Sequence, residues 1–173
     1  MAFDQLRLRL WMNALRRKGK VLTFARPVSV QEQLAGVKKV CICMPPDHKY
    51  FYDARACLQE IRKPQTEILL VLSHDLELLA EHKGKTEIYP QTLKKPFPLR
   101  EDQVANIPKR FDVALDLSPE PTPMTAYITG TRGKKLTLGF SSGALDPFYT
   151  VLVEKGEDYR TSLMTLLALA GLL

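Results

Sequence analysis

From about residue 37 onward the chain alternates between two kinds of segment, and that alternation constrains its fold more than any other feature. Short β-rich apolar runs, "KVCICM" at 39–44, "EILLVL" at 67–72 and "RFDVALDL" at 110–117, are separated by stretches whose apolar residues recur at helical spacing. A strand covered by helices on both sides has no polar face to show, so short, nearly unbroken apolar runs suit a parallel sheet. Further strands are expected at "TEIYP" (86–90), "KLTLGF" (135–140) and "YTVLVE" (149–154). Tyr50, Ala54, Cys57, Leu58 and Ile61 predict a helix ended by Pro64, and Ser73-His74-Asp75 opens another toward Leu76, Leu79, Ala80 and Gly84. Val104 and Ile107 fall in a short helix, "MTAYITGTRG" predicts the next, and Tyr159, Leu163, Leu166, Leu167 and Ala170 the last. The expected fold is an α/β, Rossmann-like open sheet, mostly parallel, with helices on both faces over residues 37–173.

Residues 1–36 read as a separate, basic helical extension. Residues 1–40 hold nine Lys/Arg against Asp4 and Glu32, a net +7; the other 133 residues hold sixteen basic and seventeen acidic groups, a net −1. The overall excess of +6 therefore belongs to the N-terminal segment. On a helical wheel Phe3, Leu6, Leu10 and Ala14 form one apolar sector and Leu8, Trp11, Met12 and Leu15 another, with Arg7 and Lys18 on one flank and Arg9 and Arg16 on the other. Such a helix suits a protein surface or, through residues 1–20, an anionic membrane surface. Nucleic acid is not the expected partner, because no folded basic face with aromatic or groove-reading elements is visible.

The remaining bulk properties are those of a cytoplasmic globular domain, peripheral at the inner membrane if the basic helix binds there. The N-terminus lacks the apolar core of a signal peptide, and no apolar stretch has the length of a membrane span. Cys41 and Cys43 share a strand face and read as buried thiols; with Cys57 they make three cysteines, without the spacing of a metal site. No cofactor or metal is expected.

In open α/β sheets ligands bind beyond the carboxyl ends of the strands, which singles out the loops at 45–49 and 118–123. The first, Pro45-Pro46-Asp47-His48-Lys49, contains neither a dinucleotide nor a P-loop glycine fingerprint. Asp47 or His48 there can deprotonate a hydroxyl nucleophile; equally, Asp47 can cap the following helix while its neighbours are solvated. Asp112 sits at a strand start, away from this edge, and reads as structural, whereas Asp116 lies near the carboxyl end and can brace the loop amides. Ser118, Glu120 and Thr122 lie on a proline-stiffened loop from which they can reach a polar ligand. "TRGKK" (131–135) is either an anion-binding turn or an exposed one.

Two stretches taken in order carry a resemblance. "KVCICMPPDHKYFYDARACLQEIRKPQTEILLVL" and "KRFDVALDLSPEPTPMTAYITGTRGKKLTLGF", followed by "DYRTSLMTLLALAGLL", resemble the N-terminal half of the glycosyltransferase family 9 enzymes, the ADP-heptose:lipopolysaccharide heptosyltransferases. The family has a strand, a Gly-Asp loop, a helix ending near Phe-Pro and a second strand, and later an "fDlvidL"-like strand. The resemblance implies the acceptor-side half of a two-domain GT-B architecture, with Asp47 and His48 at the acceptor-activating position and Lys49, Ser118, Glu120 and Thr122 near the substrate. The family's loop glycine is absent here and the carboxylate is displaced by one residue. The donor-binding half has no counterpart within the 173 residues, so a second glycosyltransferase domain or a homo-oligomer is the expected partner. Three functional expectations follow: an acceptor-side domain, inactive alone, that binds a partner chain or a glycan or lipid-linked acceptor; half of an active glycosyltransferase completed by a separate donor domain; or an unrelated α/β small-ligand or protein-interaction module.

Overall fold

In the computed structural model, which describes residues 2–18, 20–22, 28–63, 65–73, 75–76, 86–91, 101–109 and 111–173, the apolar runs become six strands of one sheet. They are β1 (Lys39–Cys43), β2 (Glu67–Ser73), β3 (Thr86–Gln91), β4 (Phe111–Asp116), β5 (Gly133–Phe140) and β6 (Val151–Val153). Their order is β3-β2-β1-β4-β5-β6, and every neighbouring pair is parallel. This is the Rossmann order. From β1 the chain builds outward through β2 and β3, then returns to the centre and builds the other way from β4.

Among the described residues five α-helices accompany the sheet: α1 (Ala2–Arg17), α2 (Val30–Leu34), α3 (His48–Leu58), α4 (Pro123–Arg132) and α5 (Tyr159–Leu169). Because right-handed crossovers advance in opposite directions from β1 and β4, α3 and α4 fall on opposite faces. The first face carries Phe51, Ala54, Cys57 and Leu58 of α3 and Leu163, Leu166 and Leu167 of α5 over Val40, Ile42, Leu70 and Leu115. The second carries Met124, Tyr127 and Ile128 of α4 over Cys41, Cys43, Leu69 and Ala114. Cys41 and Cys43 thus share one face as buried thiols, and all three cysteines are unpaired.

The helix ends follow local chemistry. The Asp47 carboxylate accepts the Lys49 amide at 2.9 Å and caps α3. Thr122 and Thr125 form a reciprocal capping box at α4, whose first residue is Pro123, so the preceding loop ends one residue earlier than the sequence pattern suggests. Asp158 accepts the amides of Arg160 and Thr161 to start α5, and Gly171, at φ 68°, turns the chain after α5 so that Leu172 is buried. In α3 the fully buried aromatic is Phe51 rather than Tyr50. Tyr50 lies at the margin, edge-on to Tyr159 of α5 at 5.0 Å, because the sheet-facing stripe runs through 51, 54 and 58.

The segment 131–135 is not an exposed turn: it is the end of α4 running into β5. Arg132 is buried there and donates to the Val104 carbonyl at 2.8 Å. The helix expected between Ser73 and Gly84 falls mostly outside the described residues, although Leu76 is fully buried. Within 1–36, Met12, Leu15 and Val21 belong to the second-face core, while Val30 and Leu34 pack against the first. Among the described residues no helix is long and apolar enough to cross a membrane.

Candidate functional site

The strand order reverses between β1 and β4, and the two loops singled out by sequence leave from these adjacent strand ends. The Leu117 amide donates to the Cys43 carbonyl at 3.0 Å, holding the exits side by side. Beneath the exits lies Asp116, fully buried at the end of β4. Its carboxylate accepts the Ser118 amide at 2.9 Å and the Tyr149 hydroxyl at 2.8 Å. Burial pushes its carboxyl above the ordinary value, opposed by donors from Thr125, Ser118 and Tyr149. Burial likewise pushes the Tyr149 phenol well up, with the Asp116 charge adding to the effect. The Cys43 thiol, held up by burial too, accepts from the Thr129 hydroxyl at 3.6 Å. This is a polar brace under the sheet edge. Tyr159 extends it, donating its hydroxyl to the Leu117 carbonyl.

Above the brace, the first loop divides sharply. Pro45 and Pro46 are buried; Asp47, His48 and Lys49 are exposed. One Asp47 oxygen is occupied by the helix cap, so the carboxylate is oriented along the start of α3. His48 Nε2 lies 3.3 Å from Asp75 Oδ2, a pair more than half exposed on both sides. Hydrogen bonding from the Ser73 hydroxyl, with smaller contributions that include His48, lowers the Asp75 carboxyl below its usual value.

On the second loop, Ser118 is buried beside Asp116, and its Oγ meets no partner with hydrogen-bond geometry. Glu120 is exposed, and Thr122 is committed to the α4 cap. Lys155, from the segment after β6, ties the loops together. Its Nζ stands 3.8 Å from Glu120, 3.5 Å from the Tyr50 hydroxyl and 5.3 Å from the Tyr50 ring centroid. Lys49 Nζ lies 5.1 Å from the same ring. Glu120, Lys155, Tyr50 and Lys49 thus form a continuous charged and aromatic rim.

Of the six residues expected from sequence, the fold places all at the reversal edge. Lys49 and Glu120 belong to the rim, Asp47 and Thr122 cap helices, Ser118 lies just below, and His48 turns toward Asp75. Sequence reasoning missed Lys155, Tyr50 and Tyr149. A signal existed for the last: a carboxylate inside the apolar run of β4 requires buried donors. Nothing local marks Lys155. Asp112, at the other end of β4, accepts the Lys38 and Lys39 amides at 2.8 and 3.1 Å, the structural role its position suggests. Among the described residues no cluster of side chains could hold a metal ion.

Among the described residues the β1 and β4 exits form no glycine-rich phosphate cradle. A Gly-rich turn lets backbone amides approach a pyrophosphate; here two prolines, each without an N–H, occupy the equivalent exit. Comparison with protein-family models, curated proteins and solved structures finds no match to this chain.

Proposed function

We propose that the chain is a heptosyltransferase-like, acceptor-side domain that does not hold a nucleotide sugar by itself and binds a hydroxyl-rich glycan, free or lipid-linked, at the β1/β4 reversal. The observation carrying this reading is the rim of Glu120, Lys155, Tyr50 and Lys49 on both sides of the reversal. Paired charges and an aromatic face are the groups that recognise sugar hydroxyls and ring faces. The family 9 resemblance supports it, since its motif segments fall on the β1-α3-β2 and β4-α4-β5 units that frame this rim. The missing phosphate cradle supports acceptor over donor binding. Asp47, with one oxygen on the α3 cap, offers its other oxygen to an acceptor proton, in a protein completed by a donor-binding partner.

Isothermal titration tests the reading. Deacylated lipopolysaccharide core oligosaccharide is expected to bind, with affinity reduced about tenfold in Lys155→Ala, the loss of one charged hydrogen bond. ADP-glucose and UDP-glucose are expected to give no heat. Nucleotide-sugar binding by this chain alone overturns the acceptor-side assignment, and absence of glycan binding overturns the proposal altogether.

A further inference from the structure

The two apolar sectors of α1 have different fates. One is satisfied within the molecule. Met12 and Leu15 are buried, and Trp11 lies against Tyr127 and Phe148 with ring centroids 5.2 and 5.5 Å away. The other faces outward: Leu6 and Leu10 are 54% and 61% exposed, the two most exposed large apolar side chains among the described residues. At 100° per residue they lie roughly 180° from the centre of the docked sector.

The surroundings of these leucines are cationic. Arg7, Arg16, Arg17, Lys18 and Lys20 are all exposed, and residues 6–20 contain no acid. Arg17 lies in line with the leucines, with Arg7 and Arg16 to either side, each roughly 80–100° away. A helix fixed to a rigid domain along one side, with leucines outward and cations beside them, presents the geometry of an interfacial anchor.

We propose that this face of α1 docks on an anionic bilayer surface, with Leu6 and Leu10 entering the headgroup–acyl boundary and the flanking cations on lipid phosphates. Charge complementarity decides the occupant. A second copy docked through the same leucines would bring two sets of arginines and lysines together, and two leucines per chain fall far short of the roughly 800 Å² per partner of a stable interface. An anionic surface attracts the same cations, and it does so without requiring a pocket. The proposal is independent of the glycan reading, since it uses a different surface.

Co-sedimentation of the full chain with phosphatidylcholine vesicles, with and without phosphatidylglycerol, tests it. Binding is expected to the anionic vesicles only, and to weaken as salt rises from about 0.1 to 1 M and the screening length falls from about 10 to 3 Å. Leu6→Gln/Leu10→Gln is expected to lower the partition coefficient about fivefold per leucine, and Arg16→Gln/Arg17→Gln about fivefold per cation. Both variants alter exposed side chains, so circular dichroism and the thermal midpoint should stay near those of the parent chain. Failure of the parent chain to bind, equal binding to neutral vesicles, or equal binding by the leucine variant overturns the proposal. So does a dimer, seen by sedimentation equilibrium without lipid, that the leucine variant dissolves; that outcome assigns the face to a second copy.

Discussion

Tyr149→Phe tests the brace under the sheet edge most directly. The substitution keeps the ring, which is buried against Gly139, and removes only the hydroxyl donated to Asp116 at 2.8 Å. A hydrogen bond to a charged group contributes about 1.5–3 kcal/mol, and one between neutral groups about 0.5–1.5. The protonation of Asp116 therefore sets the size of the effect. Burial raises its folded carboxyl above the ordinary aspartate value, so its proton is held more tightly folded than unfolded. That contribution to stability is fully present below the unfolded carboxyl range and is lost as pH rises through the folded value. Removing the Tyr149 donor raises the folded value further and enlarges the loss. The cost of Tyr149→Phe should grow with pH, from about 1 kcal/mol near pH 3.5 to about 2–3 where Asp116 is ionised. For a chain of this length 2 kcal/mol corresponds to about 4–8 °C in Tm. Urea denaturation of parent, Tyr149→Phe, Asp116→Asn and the double variant, at both pH values, measures the cost and the coupling, expected at about 1 kcal/mol or more. A cost under about 0.5 kcal/mol at neutral pH, or additive single variants, refutes the brace.

Three further expectations concern other parts of the frame. Asp112→Ala should cost about 1–2 kcal/mol by urea midpoint; although partial burial opposes it, the Lys38 and Lys39 amides and the Lys135 and Lys134 charges lower the Asp112 carboxyl, so the cost should shrink as pH falls below about 4. Asp47→Asn should retain most of the α3 cap, whereas Asp47→Ala should lose about 1 kcal/mol of stability; if Asp47 accepts an acceptor proton in the completed enzyme, both variants lose turnover alike when assayed with the donor-binding partner. Gly139→Ala would set a Cβ 2.5 Å from the Tyr149 ring and should cost about 1–3 kcal/mol in thermal denaturation; an unchanged Tm would show that the ring is not held there.

The strands were readable because their information is local. Runs such as "EILLVL" state in themselves that both faces are covered, and their positions hold to within a residue or two. The cap at Asp47 was legible for the same reason, since a cap is fixed by residues two or three apart, whereas Thr122, read as a ligand-reaching loop residue, proves to cap α4. Strand order was not, because nothing in β4 states that it pairs with β1 rather than β3. The site was half legible: position relative to strand ends identified both loops, but the rim depends on Lys155, 105 residues from Tyr50. The helical wheel of α1 revealed two apolar sectors without stating which one the domain uses. That choice rests on Tyr127 and Phe148, whose exposure is a property of the assembled face.

Pro45 and Pro46 limit what this exit can be made to bind. A glycine turn at this exit leaves backbone amides open to a phosphate. Here the exit holds two rings that fix the backbone and offer no amide, and both are enclosed by neighbouring structure. Replacing either proline alone leaves the other in place, and replacing both leaves a cavity before it yields a cradle. Building a phosphate cradle at this exit therefore passes through destabilised variants, whereas Lys49, Glu120 and Lys155 can vary one at a time on the surface. The rim is therefore the part of this edge whose chemistry can be retuned without disturbing the packing beneath it.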